Sequence, residues 1–223
     1  MAMQTFQWRR FWYSRDSEPA LDVDGFLADP ERRKLPGSEP SSVHSVDVLT
    51  NRCVAFLGEP SSGKSRTIGG EGIDRPSIEE FARSKGDFVQ WIDLRDFDNS
   101  AGLSSALRGD RTIENRRNSQ DAKLHLFLDS LDECRISIPI ISNVLPRELR
   151  SLGVERLVLR ILCRTAKWPT FLEMELQKLY QEELLVLQLA PLREGDVEEA
   201  ARVLGSRIPQ CEGGDCFVNP ADR

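Results

Sequence analysis

Gly58-Glu59-Pro60-Ser61-Ser62-Gly63-Lys64-Ser65 follows directly on the apolar run Cys53–Leu57 (CVAFL). The spacing is that of G-x-x-x-x-G-K-[ST], a phosphate-binding loop. Its glycines let the backbone curl so that successive N–H groups point inward at an anion. A helix starting after the loop turns its positive end toward the same anion. In such a loop Lys64 reaches the β- and γ-phosphates and the Ser65 hydroxyl is a Mg²⁺ ligand. The alternative is a plain turn rich in Gly, Ser and Pro, and the buried strand just before the loop argues against it. Gly58, Glu59, Pro60, Ser61, Ser62, Gly63, Lys64, Ser65 and Arg66 are therefore the candidate nucleotide-binding residues. Gly69, Gly70 and Gly72 follow closely, and each interior glycine costs a helix about 1 kcal/mol, so the expected helix is short, some two turns.

Downstream, Leu124 to Leu128 (LHLFL) ends in Asp129-Ser130-Leu131-Asp132-Glu133. A buried strand capped by an aspartate about sixty residues after the loop places Asp129 beside it as a Mg²⁺ ligand. Asp132 and Glu133 are candidates to orient an attacking water, or else acids favoured at a helix N-terminus. Arg164, directly after the apolar run Leu157 to Cys163, faces a γ-phosphate or else makes a surface salt bridge. Trp168-Pro169 then covers the site or simply packs.

Five apolar runs alternate with helical patterns: 53–57, 88–94, 124–128, 157–163 and 184–189. Strands apolar almost throughout predict an α/β fold with a parallel sheet covered on both faces. Ser77 with Glu80 reads as a capping box opening a helix that Gly86 closes. The stretch from Ile138 to Leu152 has helical spacing, with a kink expected at Pro146. Thr170 to Tyr180 reads as an amphipathic helix, and Asp196 with Glu199 caps another that runs over 197–204 and ends at Gly205.

The 223 residues carry 30 Lys and Arg against 36 Asp and Glu, a net charge of −6. That balance argues against general nucleic-acid or anionic-membrane binding, though not against a small anion. No apolar stretch reaches the roughly 20 residues that span a bilayer. Five scattered cysteines with no secretory signal predict reduced thiols and a cytoplasmic location. Cys211 and Cys216 have no second Cys/His pair to complete a zinc site, and His125 reads as a packed strand residue.

The chain is expected to divide into 1–49, an aromatic arm and linker; 50–190, a nucleotide-binding core; and 191–223, the beginning of a helical domain whose remainder is missing. In the arm, Phe6, Trp8, Phe11, Trp12 and Tyr13 alternate with Arg9, Arg10 and Arg15. Such a pattern stacks on bases, or packs its rings on the core with the arginine tips in solvent. Residues 30–45 read as a linker.

GEPSSGKS, LFLDSLDE and the Cys163-Arg164 pair together resemble the NACHT-like branch of the STAND P-loop NTPases. The small residue and two acids after the strand-ending aspartate (Ser130, Asp132, Glu133) match that family's pattern, and Leu189 to Leu192 (LAPL) is similar to its passage into the lid. The resemblance covers about residues 50–205. It implies a three-layer P-loop NTPase sandwich with a five-stranded, mainly parallel sheet of order 5-1-4-3-2, and Arg164 as a sensor. It also implies ATP rather than GTP, slow hydrolysis used as a switch, and nucleotide-dependent oligomerisation. Further lid and sensor domains, or a partner protein, would complete it, and bacterial members serve in anti-phage defence. The chain then reads as a fragment or a truncated product. Two other functions stay open: a non-enzymatic interaction fragment, and a P-loop kinase acting on a small acceptor, for which no Arg-rich lid stands out although Arg108, Arg111, Arg116 and Arg117 lie close together before the third apolar run.

Overall fold

The computed structural model describes residues 8–30, 42–109, 119 and 121–204. The central sheet is built from β1 (Phe11–Ser14), β2 (Val43–His44), β3 (Cys53–Leu57), β4 (Phe88–Asp93), β5 (Leu124–Asp129), β6 (Leu157–Cys163) and β7 (Leu184–Leu189). The helices are α1 (Lys64–Ile68), α2 (Arg75–Ser84), α3 (Ser100–Gly109), α4 (Ile138–Leu152), α5 (Thr170–Tyr180) and α6 (Glu194–Leu204).

The strands form one seven-stranded sheet of order β2-β1-β7-β3-β6-β5-β4. The expected five-stranded sheet is thereby corrected. β3 through β7 are parallel, and β1 and β2 add two antiparallel strands beyond β7. The physical reason lies in the arm. Phe11 and Trp12 are buried, and pairing β1 with β7 covers an edge that would otherwise expose unpaired backbone groups.

Alternation along the strands sorts side chains into two layers. On one face Ala55, Leu126 and Ile161 meet α3, α4 and α5 through Leu107, Leu145 and Leu176. On the other, Val54, Phe56 and Phe127 meet Ile68 of α1, Ile78 of α2 and Trp12. The result is a three-layer sandwich. The rings of the arm pack, but its arginines are not all in solvent: Arg10 donates to the Ala190 carbonyl at 2.9 Å, and Arg15 makes two 2.7 Å bonds to Glu173.

Several expected helix boundaries move. α2 opens at Arg75, ahead of Ser77, because Pro76 favours a first-turn position. Gly86 follows its end with φ +73°. α4 runs unbroken through the buried Pro146. α6 begins at Glu194, where Arg193 bonds Asp196 at 2.7 and 2.8 Å. α3, which the sequence reading leaves unassigned, seats Leu103 and Leu107 one turn apart in the core. Phe6, most of the 30–45 linker, Arg111, Arg116, Arg117, Gly205, Cys211 and Cys216 lie outside the described residues, while Val43 and His44 from the linker's end form β2.

Candidate functional site

β3 is buried throughout, which fixes the chain's exit at Leu57 and starts the loop at the sheet's C-terminal edge. The turn needs left-handed backbone at Ser61 (φ 58°) and Gly63 (φ 94°). For Gly63 this costs nothing sterically; for Ser61 it stores strain of the kind found at ligand-binding loops. Lys64 opens α1, and its ammonium folds back to donate to the carbonyls of Gly58 (2.6 Å) and Glu59 (2.9 Å). Partial burial lowers the Lys64 pKa, with Asp132 pulling the other way.

α1 is shorter than two turns, and Gly69 is the reason it can stop where it does. A Cβ there would collide with the Ser65 carbonyl and come within 2.6 Å of Asp129 Oδ2. Glycine thus lets the end of α1 lie directly on the carboxylate. The Ser65 hydroxyl, from the first turn, donates to Asp129 Oδ1 at 2.9 Å. Burial raises the Asp129 pKa, and so does the charge of Asp93, while hydrogen bonds from Ser65 and Ser130 oppose both. A hydroxyl and a carboxylate in contact are the hard oxygen donors that Mg²⁺ prefers, so these two residues fit that ion.

After Asp129 the chain turns sharply at Ser130 (φ 60°) into a single turn, Leu131–Glu133. Asp132 and Glu133 therefore stand in that turn and not at the start of α4. Arg164, leaving β6, binds both acids. Its backbone N–H donates to Asp132 Oδ1 at 2.9 Å, its Nε lies 2.8 Å from Asp132 Oδ2, and its Nη2 donates to Glu133 Oε1 at 2.6 Å. The Glu133 bond, with Asp132 adding to it, raises the Arg164 pKa and keeps the guanidinium cationic. Pro60, Lys64, Asp129, Asp132, Glu133 and Arg164 all line one cavity of about 250 Å³. Cys163 lines it too, and burial pushes its thiol up to about 12, so it stays protonated.

Two residues outside the sequence reading belong to this cluster. Asp93 ends β4 in register with Asp129 at the end of β5. Arg95 binds Asp93 at 2.5 Å and reaches Glu133 at 3.8 Å. The hydrogen bond from Arg95 holds the Asp93 carboxyl below its usual range. The signal was present in Trp91-Ile92-Asp93-Leu94-Arg95, a strand ending in an acid just as LHLFLD does. Other expected residues fall elsewhere. Trp168 donates to Glu173 and packs on the core, and Arg108 binds the buried Glu148. His125 is packed within β5, 3.1 Å from Asp87. Among the described residues no helix is long and apolar enough to cross a membrane.

No protein-family model matches the chain, and no curated protein does. Among solved structures it is similar to Cdc6p from Pyrobaculum aerophilum, at 17% identity and TM-score 0.38, covering 60% of this chain and 38% of that one. It is also similar to a structure of Drosophila ORC bound to AT-rich DNA and Cdc6, at 11% identity and TM-score 0.38, covering 73% and 60%. A third is the cytoplasmic domain of EssC, at 16% identity and TM-score 0.37, covering 87% and 42%. The chain thus spans less than two thirds of each of these chains. At such identities and scores they assign neither activity nor partner.

Proposed function

We propose that the chain binds ATP with Mg²⁺ and hydrolyses it slowly, as the nucleotide switch of a NACHT-like signalling protein. One observation carries the reading: the loop Gly58–Ser65 delivers Ser65 onto Asp129 at 2.9 Å, in a cavity that also gathers Lys64, Asp132, Glu133 and Arg164. In this reading the loop's backbone N–H groups and Lys64 hold the β- and γ-phosphates. Ser65 and Asp129 hold Mg²⁺, which supplies positive charge against the phosphate oxygens. Asp132 or Glu133 orients the water and accepts its proton, and Arg164 stabilises charge on the γ-phosphate. Both acids are tied to Arg164, so meeting a water requires an ion pair to rearrange, which suits a slow switch. Lid and sensor regions, in further chain or a partner protein, would couple the switch to a signal.

Titration with Mg·ATP followed by a phosphate-release assay tests this reading. Binding with slow turnover that needs no acceptor is the expected result. Turnover that depends on an added acceptor would make the protein a kinase. No binding at all would leave an interaction fragment that merely keeps the fold.

A further inference from the structure

Two exposed apolar features lie away from the cavity just described. The first is a hairpin. Leu21 bridges Leu27, Asp22 N donates to Phe26 O at 2.9 Å, and Ala28 N donates to Ala20 O at 2.8 Å. Its turn is fixed by Asp22 Oδ1, which accepts from the N–H groups of Asp24 (3.0 Å) and Phe26 (2.9 Å), and by Gly25 at φ +83°. Its base is anchored by the buried Leu27, whose N–H donates to Leu192 O. The structured tip displays Val23, 100% exposed, between the acids Asp22 and Asp24, with Leu21, 45% exposed, just before them. An ordered hairpin that holds valine wholly in water keeps an apolar surface available for burial.

The second feature is a groove of about 360 Å³ between the first turns of α4 and α5, lined by Ile138, Pro139, Pro169 and Phe171. Ile140 and Met174, about half exposed, extend the apolar surface of these two helices. Ser142 lines the groove as well; its buried hydroxyl has no hydrogen-bond partner among the described residues and can donate to a backbone carbonyl. Two exposed basic residues flank it in the chain: Lys167 precedes Pro169 by two residues and Arg135 precedes Ile138 by three. The other nearby charges are already paired, Arg147 with Glu148 at 3.2 Å and Glu173 with Arg15 at 2.7 Å.

We propose that the hairpin tip of one copy of the chain docks into the α4/α5 groove of a second copy. Charge decides the occupant: an apolar tip between two aspartates matches an apolar groove flanked by Arg135 and Lys167. Val23, wholly exposed, does not fill the groove of its own chain. Tip and groove are different surfaces, so the contact is head-to-tail and the pair keeps one free groove, on the copy that gave its tip, and one free tip, on the other. This pairing does not depend on the nucleotide reading.

Sedimentation velocity on the full chain tests it. The wild type should self-associate as concentration rises to about 1 mM, and added salt should weaken the association. Val23→Lys and Phe171→Asp should each remove it while leaving the thermal midpoint in place, since both side chains are exposed. Mixed together, the two variants share one intact tip and one intact groove, so they should form a dimer and nothing larger. A wild type that stays monomeric, a Val23→Lys chain that associates like the wild type, or a mixture that stays monomeric would each overturn the pairing.

Discussion

Gly69 shows how one residue can join two motifs. The sequence marks it only as a helix breaker, because periodicity carries no information about what lies beside a Cβ that is missing. In the fold that space belongs to the Asp129 carboxylate. Gly69→Ala should therefore lose about 1–3 kcal/mol in urea denaturation, the range for overpacking. Gly70→Ala, whose Cβ would stand 3.9 Å from Trp91, should lose far less. Lys64, Ser65, Asp129, Asp132, Glu133 and Arg164 were legible because motif spacing encodes them. Asp93 and Arg95 left only the trace of a strand ending in an acid, since their approach to Asp129 and Glu133 depends on which strands are neighbours and in what register. Within the proposed reaction, Glu133→Gln should retain ATP binding and slow phosphate release on the order of 10²–10⁴-fold. An unchanged release rate would remove Glu133 from that role.

At the scale of elements, the parallel strands were readable as apolar runs bounded by turns, and the hidden feature was where the arm goes. FWYS is aromatic and short, and local sequence does not say which edge it pairs with. Trp12 is fully buried with its ring centroid 4.6 Å from that of Phe56, and β1 pairs with β7. Trp12→Ala should cost about 3–5 kcal/mol, as large-to-small changes in a core do. A loss below 1 kcal/mol would mean the arm is dispensable. Arg160, buried in the middle of β6, ties β6 to the segment after β2 by donating to Val48 O (2.9 Å) and Leu49 O (3.1 Å). Burial lowers its pKa to about 10, still high enough to keep it charged at neutral pH.

The pair His125–Asp87 joins the starts of β5 and β4 and gives the fold a pH dependence. Burial lowers the His125 pKa, with Asp87 partly opposing. Between the folded value and the ordinary 6.5 the unfolded chain binds more protons, so stability rises with pH across that window. The full contribution is present above about 6.5 and is lost as pH falls through the folded value. His125→Gln should show a smaller drop in urea midpoint between pH 7.5 and pH 5.5 than the wild type does. An equal drop would exclude His125 as the source.

For the whole molecule, the alternation of strands and helices was enough to predict layered α/β architecture, because each apolar strand needs cover on both faces. The edge of the sheet was beyond that argument: two antiparallel strands close it on the β7 side. A net charge of −6 surrounds a cavity that gathers Lys64, Arg164 and the curled backbone of the loop, so the proposed binding of a polyphosphate there would rest on local geometry against the overall field. A ligand that binds only the folded state should also raise the thermal midpoint. The most direct test of nucleotide binding is calorimetric titration of the wild type and Lys64→Ala with Mg·ATP. Saturable binding to the wild type and none to Lys64→Ala is the expected result. Equal affinity in the two proteins, or no heat from either, would contradict it.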